Sequence, residues 1–527
     1  MTEKVNANPF SKDHIKDVFF GSDAAGIVCL VEDLLASGNV AKITMAARIA
    51  EQTAHNRTLP AKKIVFLSTF TLKTIEPHIR LRAFADGYEV SCRWVEYDHW
   101  WEALSEGEGI VQDSPDLIVW IAHPEDLVAN LDHAPILPGG HTPDEETKYS
   151  LGILRSALSS FRSKFATAVA ISTVPETWGP RLLYNNGAGL ARKAVIDRLN
   201  EGIADIASST ANTHIFDYSA TVSDFGRRRW FNPVNDHQYR TAVSVDALPF
   251  LSEDLWRFAS SMIRPRRKVL ALDLDNTLWG GIVGECGPNG VAVRGDYPGN
   301  AYREFQKFIK NLKDTGVALA LISRNNERDA REAFELNTDM PLSWDDFAAH
   351  RVNWGNKADN LFEIAAELNL GIDSFVFVDD NPVECELVQK MLPDVIVVHA
   401  DGPPSHFPEL VVKTRAFDTV TLTDDDRARA DSYDAERRRK EFSARKDSVE
   451  DFLAELNLEL TIRPPEANEL ARVAQLFAKT NQFNITAVRH SLADVMAMQE
   501  QDDVLLVIAS VRDKFGDYGI TSVLELR

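Results

Sequence analysis

Two carboxylates one residue apart, Asp273 and Asp275, follow the apolar run VLAL in the stretch VLALDLDNTLWGG, 269–281, with Asn276, Thr277, Trp279 and two glycines after them. Three more polar clusters sit where an apolar run ends or a helix-like run opens. They are Ser323 and Asn325 after ALALI, Lys357 at the head of KADNLFEI, and Asp379 with Asp380 after SFVFV. Carboxylates gathered in one place repel one another unless a hard cation neutralises them. Mg2+, which takes oxygen ligands and keeps several waters, matches Asp273, Asp275 and one of Asp379 or Asp380. A carboxylate oriented by such an ion can attack phosphorus to give an aspartyl-phosphate. A second carboxyl two residues on can protonate the leaving group and activate water. Ser323 and Lys357 offer a hydroxyl and an ammonium to hold phosphoryl oxygens and offset charge in the transition state. Residue types and spacing therefore reach metal-dependent phosphoryl chemistry.

Positioning these groups requires an open sheet, because such sheets bind ligands outside the carboxyl ends of their strands. The patterning predicts an α/β unit from about 266 to 420, with strands VALALIS, SFVFVDD and DVIVVHA and helices NAYREFQKFIKNLKDTG and KADNLFEIAAELNL. Only 33 residues lie between Ser323 and Lys357, so no large cap domain is inserted there. An open site of this kind admits a long substrate arm and must borrow a lid from a flanking domain or a partner.

Upstream, residues 1–60 read as a helical segment, with DAAGIVCLVEDLLASGNVAKITMAARIAEQ carrying apolar residues at three- and four-residue spacing. From Lys62 the runs KKIVFLS, YEVSCRWVEY and DLIVWIAH alternate with helical stretches, which predicts a parallel sheet covered on both faces over 61–263. The segment THIFDYSATVSDFGRRRWFNP is expected to close that domain with a strand and a turn-rich edge. Downstream, over 421–527, a charged helix pair of mixed sign precedes LELTIRP, two helical runs and two strand-like runs, DVLLVIASV and GITSVLELR.

The chain's 527 residues fit about three domains. Its net charge of -22, from 57 basic and 79 acidic side chains, argues against a nucleic-acid or acidic-membrane partner. Cys29, Cys92, Cys286 and Cys385 show no metal-ligand spacing, and no run approaches a membrane span, so a cytoplasmic protein with reduced thiols is expected. RPRRK, 264–268, reads as a basic linker between domains.

DLDNT, the strand-ending Ser323, the helix-opening Lys357 and VDDN resemble, in order and spacing, the four motifs of the haloacid dehalogenase superfamily of phosphohydrolases. The resemblance implies that Asp273 is the nucleophile and Asp275 the acid/base. Thr277, Ser323, Asn325 and Lys357 become phosphate-binding or turn-stabilising partners, and Asp379 and Asp380 the remaining metal acids. A narrower likeness runs through LALDLDNTLWGGIVGE, SRNN, FVFVDDNPVECELV, AKTNQFNIT and DKFGDYGI, which look like the FkbH-like proteins of polyketide pathways. It implies two doubly wound parallel-sheet domains, a degenerate SGNH-hydrolase-like one and then a phosphatase-like one, followed by a partial GNAT-like α+β segment. It also implies an activity: phosphate is removed from 1,3-bisphosphoglycerate and the glyceryl group is loaded onto the phosphopantetheine thiol of an acyl carrier protein.

A covalent acyl-enzyme would need a thiol near the acids. Cys385, one turn into the helix that Asn381 and Pro382 are expected to start, is the first candidate, because a helix N-terminus lowers a thiol pKa while nearby carboxylates oppose it. Cys286, in the GECGPNG loop, is the rival. In the upstream domain FLSTF stands where an SGNH nucleophile block would be, but Gly-Asp-Ser is absent. A triad of Ser68 with His214, Asp217, Asp236 or His237 is therefore not expected, and a scaffold or carrier-docking role is. The chain reaches SVLELR before any Gly-rich pyrophosphate loop, so independent acyl-CoA chemistry is not expected, while Asn481, Asn484, Asp517 and Tyr518 are candidates to line a surface near a carrier arm.

Overall fold

The computed structural model describes residues 10–21, 23–95, 99–112, 114–128, 131, 143–177, 188–420, 422, 439, 455–466, 469–479, 490, 492–499, 501 and 503–526. The chain divides into two compact units, Met1–Arg264 and Pro265–Arg527.

The first unit is built on five parallel strands: β1 (Ala61–Ser68), β2 (Glu89–Val95), β3 (Leu117–Ile121), β4 (Ala168–Ser172) and β5 (Thr213–Phe216), in the order β2-β1-β3-β4-β5. Both faces are covered. Ile64, Phe66 and Val119 face a core with Trp230 and Trp256, while Val65, Leu67, Ile118 and Trp120 face one with Leu158 and Phe161. Double coverage explains why these strands read as unbroken apolar runs. The first three helices, Lys12–Phe20, Ala24–Ala36 and Val40–Arg57, form a separate apolar cluster with Leu81 and Phe84 of the helix Glu76–Ala85.

One expectation fails here. After β5 the chain does not make a turn-rich edge but three helices, Tyr218–Phe225, Arg227–Trp230 and Pro233–Tyr239. Asp217 starts the first by accepting from Ala220 N, and Asn232 starts the third by accepting from Asn235 N with Pro233 at the first helical position.

The second unit carries β6 (Val269–Leu272), β7 (Ala318–Ser323), β8 (Ala349–Val352), β9 (Phe375–Asp379) and β10 (Ile396–His399), all parallel, in the order β10-β9-β6-β7-β8. Central β6 is buried on both sides: Leu270 and Leu272 lie in one core with Phe305 and Trp344, Val269 and Ala271 in another with Leu361 and Phe377. All of 265–420 is described, and no inserted domain interrupts it. β8 is too short and too polar at His350 and Arg351 to stand out in the sequence.

Further on, β11 (Glu459–Arg463), β12 (Leu505–Arg512) and β13 (Asp517–Leu526) form an antiparallel sheet in that order. Leu506 and Ile508 pack with Leu470 and Val473 of the helix Leu470–Lys479 and with Val495. The cross-strand pairs Leu505 with Leu526 and Val507 with Leu524, and Ile462 with Ala509, put an apolar stripe on the opposite face, where Leu460, Ile462, Leu505, Leu524 and Leu526 are exposed. Apart from Arg439, Glu455 and Leu456, the charged helix pair expected over 423–456 lies outside the described residues, as do Asn481 and Asn484. Among the described residues no helix is long and apolar enough to cross a membrane.

Candidate active site

β6 delivers Asp273 to its carboxyl end, where the backbone N of Asp273 donates to Val378 O of neighbouring β9 at 3.0 Å. The chain then turns back on itself: Leu274 O accepts from the backbone N of Leu278 at 2.8 Å, and Asn276 takes a left-handed φ of 53°. Asn tolerates that conformation better than most residues, and here its Oδ1 also accepts from Gly281 N at 2.9 Å.

Three carboxylates meet at this edge. Oxygens of Asp273, Asp379 and Asp380 all lie within 4.8 Å of one another, a spacing a metal ion could bridge. Lys357, the first residue of the helix Lys357–Glu367, sends Nζ to within 2.8 Å of Asp273 Oδ1 and 2.6 Å of Asp379 Oδ2. The N-cap Asn356, whose side chain accepts from Ala358 N, fixes where that lysine enters. One ammonium against three carboxylates leaves two negative charges uncompensated. Asp273 Oδ1 is buried and accepts no aligned hydrogen bond beyond its ion pair. Burial, opposed by Lys357 and reinforced by Asp379, pushes the Asp273 carboxyl up to about 6. Burial likewise raises Asp379 against the pull of Lys357, and Asp380 rises through burial and then the charge of Asp273. Lys357 is raised despite its burial, because the charges of Asp273 and Asp379 outweigh the loss of water. A divalent cation bound by oxygen fits this donor set and its charge.

Asp275 is not among the acids brought together. Its Oδ1 accepts from Trp279 Nε1 at 2.9 Å and from Val283 N at 3.1 Å, and its Oδ2 accepts from Asn325 Nδ2 at 2.9 Å. With both oxygens accepting from donors, Asp275 is a positioned group beside the other three acids. Asn325 Nδ2 also donates to Ser323 Oγ at 3.1 Å, so β7 supplies a hydroxyl and an amide to the same edge. Thr277 is fully buried, with Oγ1 unpartnered among the described residues and its backbone N donating to Leu274 O at 3.2 Å; it supports the turn from beneath.

Cys385 lies in the helix Pro382–Met391, capped by Asn381 as expected. The lowered thiol pKa does not follow. Burial first and the charge of Asp379 second push it up to about 12, and Sγ donates to Asp379 O at 3.5 Å. Cys286 is exposed, its Sγ donating to Ile282 O at 3.1 Å.

No sequence signal marked Trp279 as a donor to Asp275, Tyr302, whose hydroxyl donates to Asn276 O at 3.3 Å, or the Arg324 to Glu384 ion pair at 3.0 Å. These contacts depend on how separate loops meet, which no periodicity encodes.

In the first unit none of the candidate partners His214, Asp217, Asp236 and His237 forms a triad with Ser68. Its Oγ donates to Phe70 O at 2.7 Å and accepts from Phe70 N, while His214 lies three strands away, two residues lower in register, bonded to Asn212. Asp217 caps a helix and binds Thr173, and Asp236 and His237 belong to the helix Pro233–Tyr239. The buried histidine at this sheet edge is His123, stacked 3.9 Å from Phe70, with Nε2 3.2 Å from Tyr218 Oη. In the C-terminal sheet Asp517 accepts from Gly519 N and Tyr518 Oη donates to Asp513, so both serve the local turn.

A solved structure resembles much of this chain. The N-terminal part of the protein BF1531 from Bacteroides fragilis, which contains a phosphatase domain and was solved in complex with Mg, matches with a TM-score of 0.60 and 26% identity. The match covers 71% of this chain and 99% of that one. The likeness supports a phosphatase of haloacid dehalogenase type. No family model matches the chain, and no curated protein does.

Proposed function

We propose that this chain is a Mg2+-dependent phosphatase of haloacid dehalogenase type, with Asp273 as nucleophile and Asp275 as acid/base. The observation that carries the reading is the buried Lys357 ammonium bridging Asp273 and Asp379 beside Asp380 at the end of β6. Asp273, Asp379 and Asp380 would hold the ion. When bound, Mg2+ neutralises the acids and polarises the phosphoryl group.

Asp273 attacks phosphorus as the bond to the leaving oxygen breaks, giving an aspartyl-phosphate, and Asp275 supplies the proton that the leaving oxygen takes up. Water then opens the aspartyl-phosphate, its proton passing to Asp275, and inorganic phosphate leaves. Lys357, Ser323 and Asn325 hold the phosphoryl oxygens, and Thr277 supports the turn. Phosphate release with Mg2+ that disappears in Asp273→Asn and on chelation is the expected result; release that survives Asp273→Asn would overturn the assignment.

The finer reading is a glyceryl transferase that dephosphorylates 1,3-bisphosphoglycerate and loads the glyceryl group onto an acyl carrier protein for polyketide or antibiotic biosynthesis. It rests on the FkbH-like motifs, and the lack of an inserted cap within 265–420 leaves the site open to a carrier arm. Incubation with 1,3-bisphosphoglycerate and holo carrier protein, followed by intact mass measurement, tests it. A glyceryl increment supports transfer, and phosphate release with an unmodified carrier leaves the plain phosphatase. A thioester on Cys385 has no support from its raised pKa, and a carrier loaded equally well by Cys385→Ser would exclude it.

A further inference from the structure

The Arg324 to Glu384 ion pair joins the two loops that flank this site. Arg324 directly follows Ser323 at the end of β7, and Glu384 stands in the first turn of the helix Pro382–Met391 after β9. In the strand order β6 lies between those two strands, so a side-chain bridge from one loop to the other passes over the carboxyl end of β6, where Asp273 sits. Arg324 Nη2 is 3.0 Å from Glu384 Oε1.

The two ends of the bridge are unequal. The Glu384 side chain is 8% exposed and its Oε2 is buried with no hydrogen-bond partner among the described residues, whereas the Arg324 side chain is 44% exposed. Burying a carboxylate with one oxygen unsatisfied is unfavourable, and a neutral side chain would anchor the same helix turn at less cost. What the carboxylate adds is orientation of the guanidinium. That group carries its donors in a rigid planar fork, of which Glu384 engages Nη2 in a side chain that stays 44% exposed. Lys357 cannot serve there, being drawn between Asp273 and Asp379.

We propose that Arg324, oriented by the positioning residue Glu384, determines specificity by binding a second acidic group, a carboxylate or a second phosphate, on the phosphorylated substrate. The assignment rests on the phosphatase reading above. The fork geometry suits either acid, and a monophosphate without one forgoes the contact.

The test compares kcat/KM of the full chain with Mg2+ for glycerol 3-phosphate, 3-phosphoglycerate and 1,3-propanediol bisphosphate, which present no second acid, a carboxylate and a phosphate. The wild type is expected to prefer at least one of the acids over glycerol 3-phosphate by about tenfold or more, chiefly through KM, as a charge-assisted contact would give. Whichever acid is preferred identifies the group read. Arg324→Gln is expected to bring the ratio close to one, Arg324→Lys to keep part of it and Glu384→Gln to lower it. A purely structural ion pair would depress all three substrates alike and leave the ratio unchanged. A wild-type ratio near one, or a preference that survives in Arg324→Gln, overturns the proposal. No Asp273-dependent release from any of the three overturns this assignment, and if 1,3-bisphosphoglycerate releases none either, the phosphatase reading falls with it.

Discussion

At the scale of single residues, the site is governed by charge held out of water. Lys357 is 3% exposed and faces two carboxylates, so Lys357→Met leaves them buried and uncompensated. Breaking a buried pair in this way costs about 3–5 kcal/mol, and denaturant unfolding of metal-free protein should show a loss of that order, partly restored by Mg2+. Asp273 sets a pH dependence. Its folded value of about 6 lies above the unfolded one, so the folded state binds the extra proton, and the contribution of this group to the stability of metal-free protein is fully present below about pH 4 and is lost as pH rises through about 6. The loss is read from denaturant midpoints across that window. Added Mg2+ should flatten the slope, since the ion favours the ionised form. Trp279→Phe keeps an aromatic ring against Phe334 but removes the donor to Asp275 Oδ1. Its expected mark is a fall in kcat of about tenfold or more with KM little changed, as for a group that orients an acid/base.

At the scale of elements, β6 carries the site because it is the central strand, buried on both faces. Leu272→Ala should cost about 2–5 kcal/mol in denaturant unfolding and lower activity with it, because the cavity opens directly beneath Asp273. Much of this architecture was legible. The apolar runs that lead to Asp273, Ser323 and Asp379 name their own strands, and Lys357 stands where a helical run opens. What escaped was decided by tertiary contact. The segment after β5 reads as turns because its glycine and arginines mask three short helices, two of them capped by a side chain, and β8 is hidden by its two charged or polar residues. The partners of Asp275 escaped for the same reason: nothing in DLD announces that the fold brings Trp279, Val283 and Asn325 to the second acid. The helix start at Cys385 was visible in the sequence, but its raised pKa follows from the burial and carboxylates that surround it.

At the scale of the whole molecule, two compact units of similar size predict two unfolding transitions by calorimetry. Mg2+ binds only the folded state of the unit that holds Asp273, so it should raise one transition and leave the other in place, and Asp273→Asn should abolish the rise. The C-terminal sheet bears on how the protein behaves as a colloid. Leu460, Ile462, Leu505, Leu524 and Leu526 give one face of it an oily stripe bordered by the outer strands β11 and β13. The overall charge of -22 keeps molecules apart at low ionic strength, and salt removes that protection over a distance of about 10 Å at 0.1 M. Turbidity of concentrated samples is therefore set by two opposed surfaces on one chain, an acidic exterior that disperses it and a greasy sheet that gathers it.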